Sequence, residues 1–124
     1  MKKKILVADD EAHILHIVSM KLSNAGYEVV TAVDGEEALE LCVAEKPDLV
    51  ITDFHMPYLT GLELSHQLRQ DEQTKSIPVL MLTARGFEIE PEEMARAGIV
   101  DVLSKPFSPR EVLERVQQLV GVAV

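Results

Sequence analysis

The run Asp48-Leu49-Val50-Ile51-Thr52-Asp53, followed by Phe54-His55-Met56-Pro57-Tyr58-Leu59-Thr60-Gly61, decides the fold. Its near-continuous apolar character is that of a strand covered on both faces, as in a parallel sheet, and it breaks into a loop at an acid. Ile5-Leu6-Val7-Ala8 ends in the same way, in Asp9-Asp10-Glu11. Working outward, apolar runs at 4–8, 27–32, 49–52, 77–82 and 99–103 alternate with helical patterns at roughly 11–25, 35–45, 61–70, 91–97 and 109–120. Strict strand–helix alternation predicts a doubly wound α/β domain with right-handed crossovers, five strands and five helices.

Helix ends carry their own signals. Ser108-Pro109-Arg110-Glu111 combines an N-cap serine, a proline at the first helical position and a capping-box glutamate, and Asp34-Gly35-Glu36-Glu37 offers an acidic cap. Gly26 and Gly98 stand where the first and fourth helices should stop. Val112, Leu113, Val116, Leu119 and Val120 share one stripe of the last helix, opposite Arg110, Glu114, Arg115 and Gln118, so that helix should dock on the sheet. On the first helix, Ile14, Val18, Leu22 and Ala25 form the expected buried stripe, with His13, Ile17 and Met20 on its flank.

The 124 residues, 47% of them apolar, suffice for one packed core, and one domain over 1–124 is expected. Twelve Lys and Arg against 21 Asp and Glu give a net charge of −9, which sets this segment against direct binding of nucleic acid. One cysteine, Cys42, permits no internal disulfide. The opening Met1-Lys2-Lys3-Lys4 runs into too few apolar residues for a signal peptide or membrane span, so no membrane contact and a cytoplasmic location are the expectations.

In a parallel sheet every strand's C-terminal tip lies on one edge, where ligands bind. Asp9, Asp10 and Asp53 follow their strands and fall there, as do Thr83 and Lys105; Asp48 and Asp101 are expected on the opposite edge. Two unit charges 4 Å apart at an effective dielectric near 20 repel by roughly 4 kcal/mol, so three gathered carboxylates call for a proton, a cation or Lys105. An oxygen-only donor set suits Mg²⁺. Asp53, alone at its tip, is the candidate nucleophile toward a phosphoryl group, with Asp9 and Asp10 as metal ligands or orienters of ligated water.

These residues resemble the receiver domains of two-component response regulators over essentially the whole chain. The resemblance rests on Asp9-Asp10, on Asp53-Phe54-His55-Met56-Pro57 with Gly61, on Thr83-Ala84 and on Lys105-Pro106-Phe107. It implies a flavodoxin-like sheet of order 2-1-3-4-5, Asp53 as phospho-acceptor, and Mg²⁺ on Asp10, Asp53 and the His55 carbonyl, with Asp9 acting through water. It further implies Lys105 on a phosphoryl oxygen, Thr83 as the hydroxyl that follows the phosphoryl group, Phe54 and Ala84 beside the phosphoryl site, and a cis Lys105-Pro106 bond. The implied partners are a sensor histidine kinase or histidine phosphotransfer protein, docked in part through Ile17 and Met20 of the first helix, and an output protein or domain that reads the face of helix four, strand five and helix five.

Two departures stand out. Val102 occupies the strand-five position where the family usually carries tyrosine or phenylalanine. His55 and Arg85, each two residues beyond a site residue, are bulky where the family tunes phosphoryl lifetime, which predicts slow turnover. An aspartyl-phosphate hydrolase would need an acid at position 55, and a receiver-like module that takes no phosphate is the other alternative. Glu11 is expected to serve the positive end of the first helix rather than the metal.

Overall fold

The computed structural model describes residues 2–84 and 89–123. Five strands and five helices alternate: β1 (Lys4–Ala8), α1 (Ala12–Asn24), β2 (Glu28–Ala32), α2 (Gly35–Glu45), β3 (Leu49–Asp53), α3 (Gly61–Arg69), β4 (Val79–Thr83), α4 (Pro91–Ala97), β5 (Ile99–Ser104) and α5 (Pro109–Val120). All pair in parallel, in the order β2-β1-β3-β4-β5. This is the expected doubly wound sheet and strand order.

The continuous apolar runs are explained by two cores. Leu6, Ala8, Val50, Val79 and Met81 face the cluster that includes Ala38 and Cys42 of α2 and Leu64 and Leu68 of α3. Ile5, Val7, Leu49, Ile51, Leu80 and Leu82 face Leu15, Val18 and Leu22 of α1 and Val112 and Val116 of α5. Successive residues of the central strands therefore enter opposite cores, and each fully buried large side chain contributes about 1.5–3 kcal/mol. The edge strands have no such double cover. β2 and β5 carry exposed residues at Glu28, Thr31, Val100 and Ser104.

Local differences from the sequence reading have physical causes. The buried stripe of α1 is Leu15, Val18 and Leu22; Ile14, Ile17 and Ala25 are only partly buried against the same cluster, so the stripe is rotated by one residue and Ile17 has a core partner. Asp101 lies inside β5 rather than ahead of it, where its carboxylate pairs with Arg115 of α5 at 2.7 Å. Tyr27 falls outside β2, yet its ring is buried and its hydroxyl donates to the Gly121 carbonyl at 2.5 Å, tying the start of β2 to the end of α5. α4 ends at Gly98 with φ of 75°, a left-handed turn that a residue with a side chain would strain to make.

Candidate functional site

Each acid reaches the site because its strand ends there. Asp53 is the last residue of β3 and is 6% exposed; Asp9 follows β1, is fully buried, and is held by its amide on the Ala32 carbonyl at 3.1 Å. Asp10 beside it is exposed. Among the described residues these three can each offer one oxygen such that all lie within 4.8 Å of one another. Lys105 enters from the end of β5, its amide donating to the Thr83 carbonyl at 2.8 Å, and its peptide with Pro106 is cis.

The ammonium of Lys105 is shared. Its Nζ lies 3.1 Å from Asp53 Oδ1, 3.2 Å from Glu11 Oε1 and 3.5 Å from Asp9 Oδ2. Thr83, at the tip of β4 opposite Ser104 in the register, is buried. Asp10, Glu11, Asp53, His55, Ala84 and Lys105 line an open cleft of about 270 Å³.

Electrostatics follow from this crowding. Burial pushes the Asp9 carboxyl up to about 6, against the pull of the hydrogen bond from the Glu11 amide, and the Asp53 charge adds to the rise. Burial likewise raises Asp53, opposed by its hydrogen bond with Lys105. Burial alone would lower Lys105, but its contacts with Asp53 and Asp9 outweigh that and raise it. Asp9 Oδ2 is buried with no hydrogen-bond donor of its own. An orphaned buried carboxylate oxygen beside two further carboxylates is a donor set that a hard divalent cation fits.

Of the residues singled out from the sequence, Asp9, Asp10, Asp53 and Lys105 are brought together, and His55 and Ala84 line the same cleft. Phe54 is beside it, but its amide donates to the Leu82 carbonyl at 2.8 Å, bridging β3 to β4, while its ring meets His55 edge-on at 4.8 Å. Arg85 lies outside the described residues. Glu11 stands at the start of α1, as expected, and outside the three-acid cluster. It is the N-cap of α1 by backbone geometry, yet its carboxylate makes no capping bond and reaches Lys105 instead.

Gly61 also belongs to the site's construction. A Cβ there would run into the Asp53 carbonyl and come within 2.9 Å of Met81 Sδ, so only glycine lets α3 begin directly beneath the phospho-acceptor candidate. Its amide donates to Phe54 O at 2.8 Å, and a capping box between Thr60 and Glu63 fixes the helix start.

Residues 5–117 match the response regulator receiver domain family. The chain belongs to that family. It is 47% identical over 119 residues to the alkaline phosphatase synthesis transcriptional regulatory protein PhoP of Bacillus subtilis, covering 96% of this chain and 49% of that protein. It is 41% identical to the phosphate regulon transcriptional regulatory protein PhoB of Pseudomonas aeruginosa, covering 93% and 50%. The chain thus spans about half the length of these relatives.

Among solved structures, the chemotaxis response regulator CheY4 of Vibrio cholerae superposes with a TM-score of 0.89 at 38% identity, covering 97% of this chain and all of that one. The receiver domain of a sensor histidine kinase from Pseudomonas aeruginosa, with magnesium coordinated in its active-site cleft, superposes at 0.85 with 26% identity, covering 98% and 99%. Among the described residues no helix is long and apolar enough to cross a membrane.

Proposed function

We propose that residues 1–124 form one receiver domain that acts as a phosphorylation switch, with Asp53 as the acceptor. The observation that carries this reading is the approach of Lys105 Nζ to 3.1 Å from Asp53 Oδ1 beside the oxygens of Asp9 and Asp10. A carboxylate oxygen of Asp53 forms a bond to phosphorus as the N–P bond of a donor phosphohistidine breaks and its electron pair returns to the imidazole nitrogen. The product is an aspartyl phosphate.

Asp10, Asp53 and the carbonyl of His55 would hold Mg²⁺, with Asp9 acting through ligated water. Bound there, the ion neutralises developing charge on the phosphoryl oxygens. Lys105 would stabilise a second oxygen, and the Thr83 hydroxyl would donate to a third and follow it inward. Phe54 and Ala84 flank that group; for the Phe54 amide to contribute, it would have to leave Leu82. The equilibrium so shifted is between two arrangements of the α4–β5–α5 face, read by an output protein or domain. Half-buried Val102 offers no large ring at its position to carry the shift, so Thr83 would carry it.

A sensor histidine kinase or histidine phosphotransfer protein in the cytoplasm is the proposed donor. Support comes from an open groove of about 410 Å³ between α1 and the start of α5, lined by Ile17, Met20, Lys21, Ser108 and Pro109. Met20 is half exposed at its rim. A hydrolase acting on outside substrates is disfavoured because His55 stands where its acid would be.

The test is incubation with acetyl phosphate and Mg²⁺, followed by intact mass. The parent should gain one phosphoryl group and Asp53→Asn none. A parent that gains nothing favours a module that works without phosphate, and steady release from unrelated phosphate esters favours the hydrolase.

A further inference from the structure

Glu11 is not explained by the helix it starts. Asp34, Thr60 and Ser108, which begin α2, α3 and α5, each accept a hydrogen bond from the amide three residues on, as good N-caps do. Glutamate is a poor cap, and at Glu11, as at Glu90 of α4, the side chain makes no such bond; what sets Glu11 apart is where its carboxylate goes. Its backbone is instead fixed by the Asp9 carboxylate, which accepts from its amide at 2.9 Å. So anchored, Glu11 turns its carboxylate to Lys105 at 3.2 Å although it remains 61% exposed. With Lys105 it lines both the acid cleft and a neighbouring cavity of about 350 Å³ walled by Ile14, Pro106 and Phe107.

We infer that Glu11 is a positioning residue for Lys105, a charge that holds the ammonium at the mouth of the cleft and competes for it with an arriving phosphoryl group. Asp9, Asp10, Glu11 and Asp53 set four carboxylates against one ammonium, and an anionic donor must displace the Glu11 contact to engage Lys105 fully. Glu11 therefore slows capture of small donors in proportion to the donor's own negative charge. This rests on Asp53 being the acceptor.

Glu11→Gln removes the charge but keeps an oxygen that can accept from Lys105. Its labelling by dianionic acetyl phosphate should quicken roughly two- to fivefold, the scale of a partly exposed ion pair. Labelling by monoanionic phosphoramidate should change less. Glu11→Asp, which keeps the charge on a shorter arm, should show no acceleration with either donor. A role confined to helix α1 would instead lower the melting temperature and move both donors alike. The contact itself is read without any phosphoryl group, as a shift of the Lys105 side-chain ¹³Cε resonance in Glu11→Gln. Equal acceleration with both donors, or an unmoved resonance, overturns the inference. A parent that takes no label from either donor overturns the acceptor role of Asp53, and the resonance then still decides whether Glu11 holds Lys105.

Discussion

The two edges of the sheet use the same kinds of residue to opposite ends. At the N-terminal edge, the Lys4 ammonium sits 2.9 Å from Glu45 and 3.6 Å from Glu28, and the Lys4 amide donates to Asp48 at 2.8 Å, so that cluster sets three carboxylates against one ammonium but keeps them in reach of water. At the C-terminal edge one ammonium serves Asp9, Glu11 and Asp53, with Asp10 alongside, and buried Asp9 Oδ2 makes no hydrogen bond, the ammonium standing 3.5 Å away. The first arrangement is what a sheet edge needs in order to be folded. The second costs stability because Asp9 and Asp53 are buried, and such a cost persists where a ligand is meant to offset it.

Removing the ammonium shared by the acids of the C-terminal edge should have the largest effect. Lys105→Met leaves the buried carboxylates uncompensated and takes away a charge aimed at the phosphoryl oxygens, a loss on the order of 100-fold or more in labelling rate. Mass-resolved time courses with acetyl phosphate measure it, and a rate within threefold of the parent would contradict the assignment. The unmodified variant should also melt lower than the parent at neutral pH, because the like charges that remain are desolvated.

Asp9→Asn should act next, and in the stabilising direction. The folded-state pKa of Asp9, about 6, lies above its ordinary value, so this group's contribution is fully present below the unfolded value and is lost as pH rises through about 6. The metal-free parent should therefore lose about 2 kcal/mol from this residue between pH 4 and pH 7, since each tenfold tightening of proton binding on folding is worth about 1.4 kcal/mol. Asp9→Asn should abolish that loss in urea unfolding. Added Mg²⁺, which needs the deprotonated carboxylate, should stabilise the parent far more at pH 7 than at pH 5. An Asp9→Asn variant with the parent's own pH dependence would locate the titration elsewhere.

How much of this contrast could be read from the residues depends on distance along the chain. The strands, and the acids at their tips, were legible because burial on two faces writes an uninterrupted apolar run, and Asp9 and Asp53 end such runs. The strand order came from the resemblance, since a run carries no record of its neighbour. The contact of Glu11 with Lys105 is not legible in the sequence, because the two lie 94 residues apart. Asp101 was set on the wrong side of its strand for a similar reason: a charge inside β5 makes sense only once Arg115 of α5 is seen beside it. Gly61 was seen as part of a motif, but its physical necessity is a contact with the Asp53 carbonyl and the sulfur of Met81, and packing distances are not written in spacing. The one-residue rotation of the α1 stripe is of the same kind, because Ile14 and Leu15 are equally apolar and only the docked sheet chooses between them.

The smallest effect should come from the solvated edge. Glu45→Gln removes one of two carboxylates near the Lys4 ammonium, but Glu28 remains within reach and both the lysine and the glutamate touch water, so solvent and the second partner take up the lost contact. Its melting temperature should stay within a degree or two of the parent, a ceiling set by the small value of exposed ion pairs. Its labelling rate should be unchanged, because the cluster lies at the far end of strands whose tips carry the site. Neutralising a carboxylate thus stabilises the chain at Asp9 and does almost nothing at Glu45. That difference in sign and size, between two acids of one sheet, depends on whether the carboxylate is buried, as at Asp9, or in water, as at Glu45. Thermal melts of the two variants at pH 7, side by side in the absence of divalent ions, measure it directly. Equal shifts in the two would mean that the excess negative charge of the whole chain, rather than its concentration at the strand tips, sets the response.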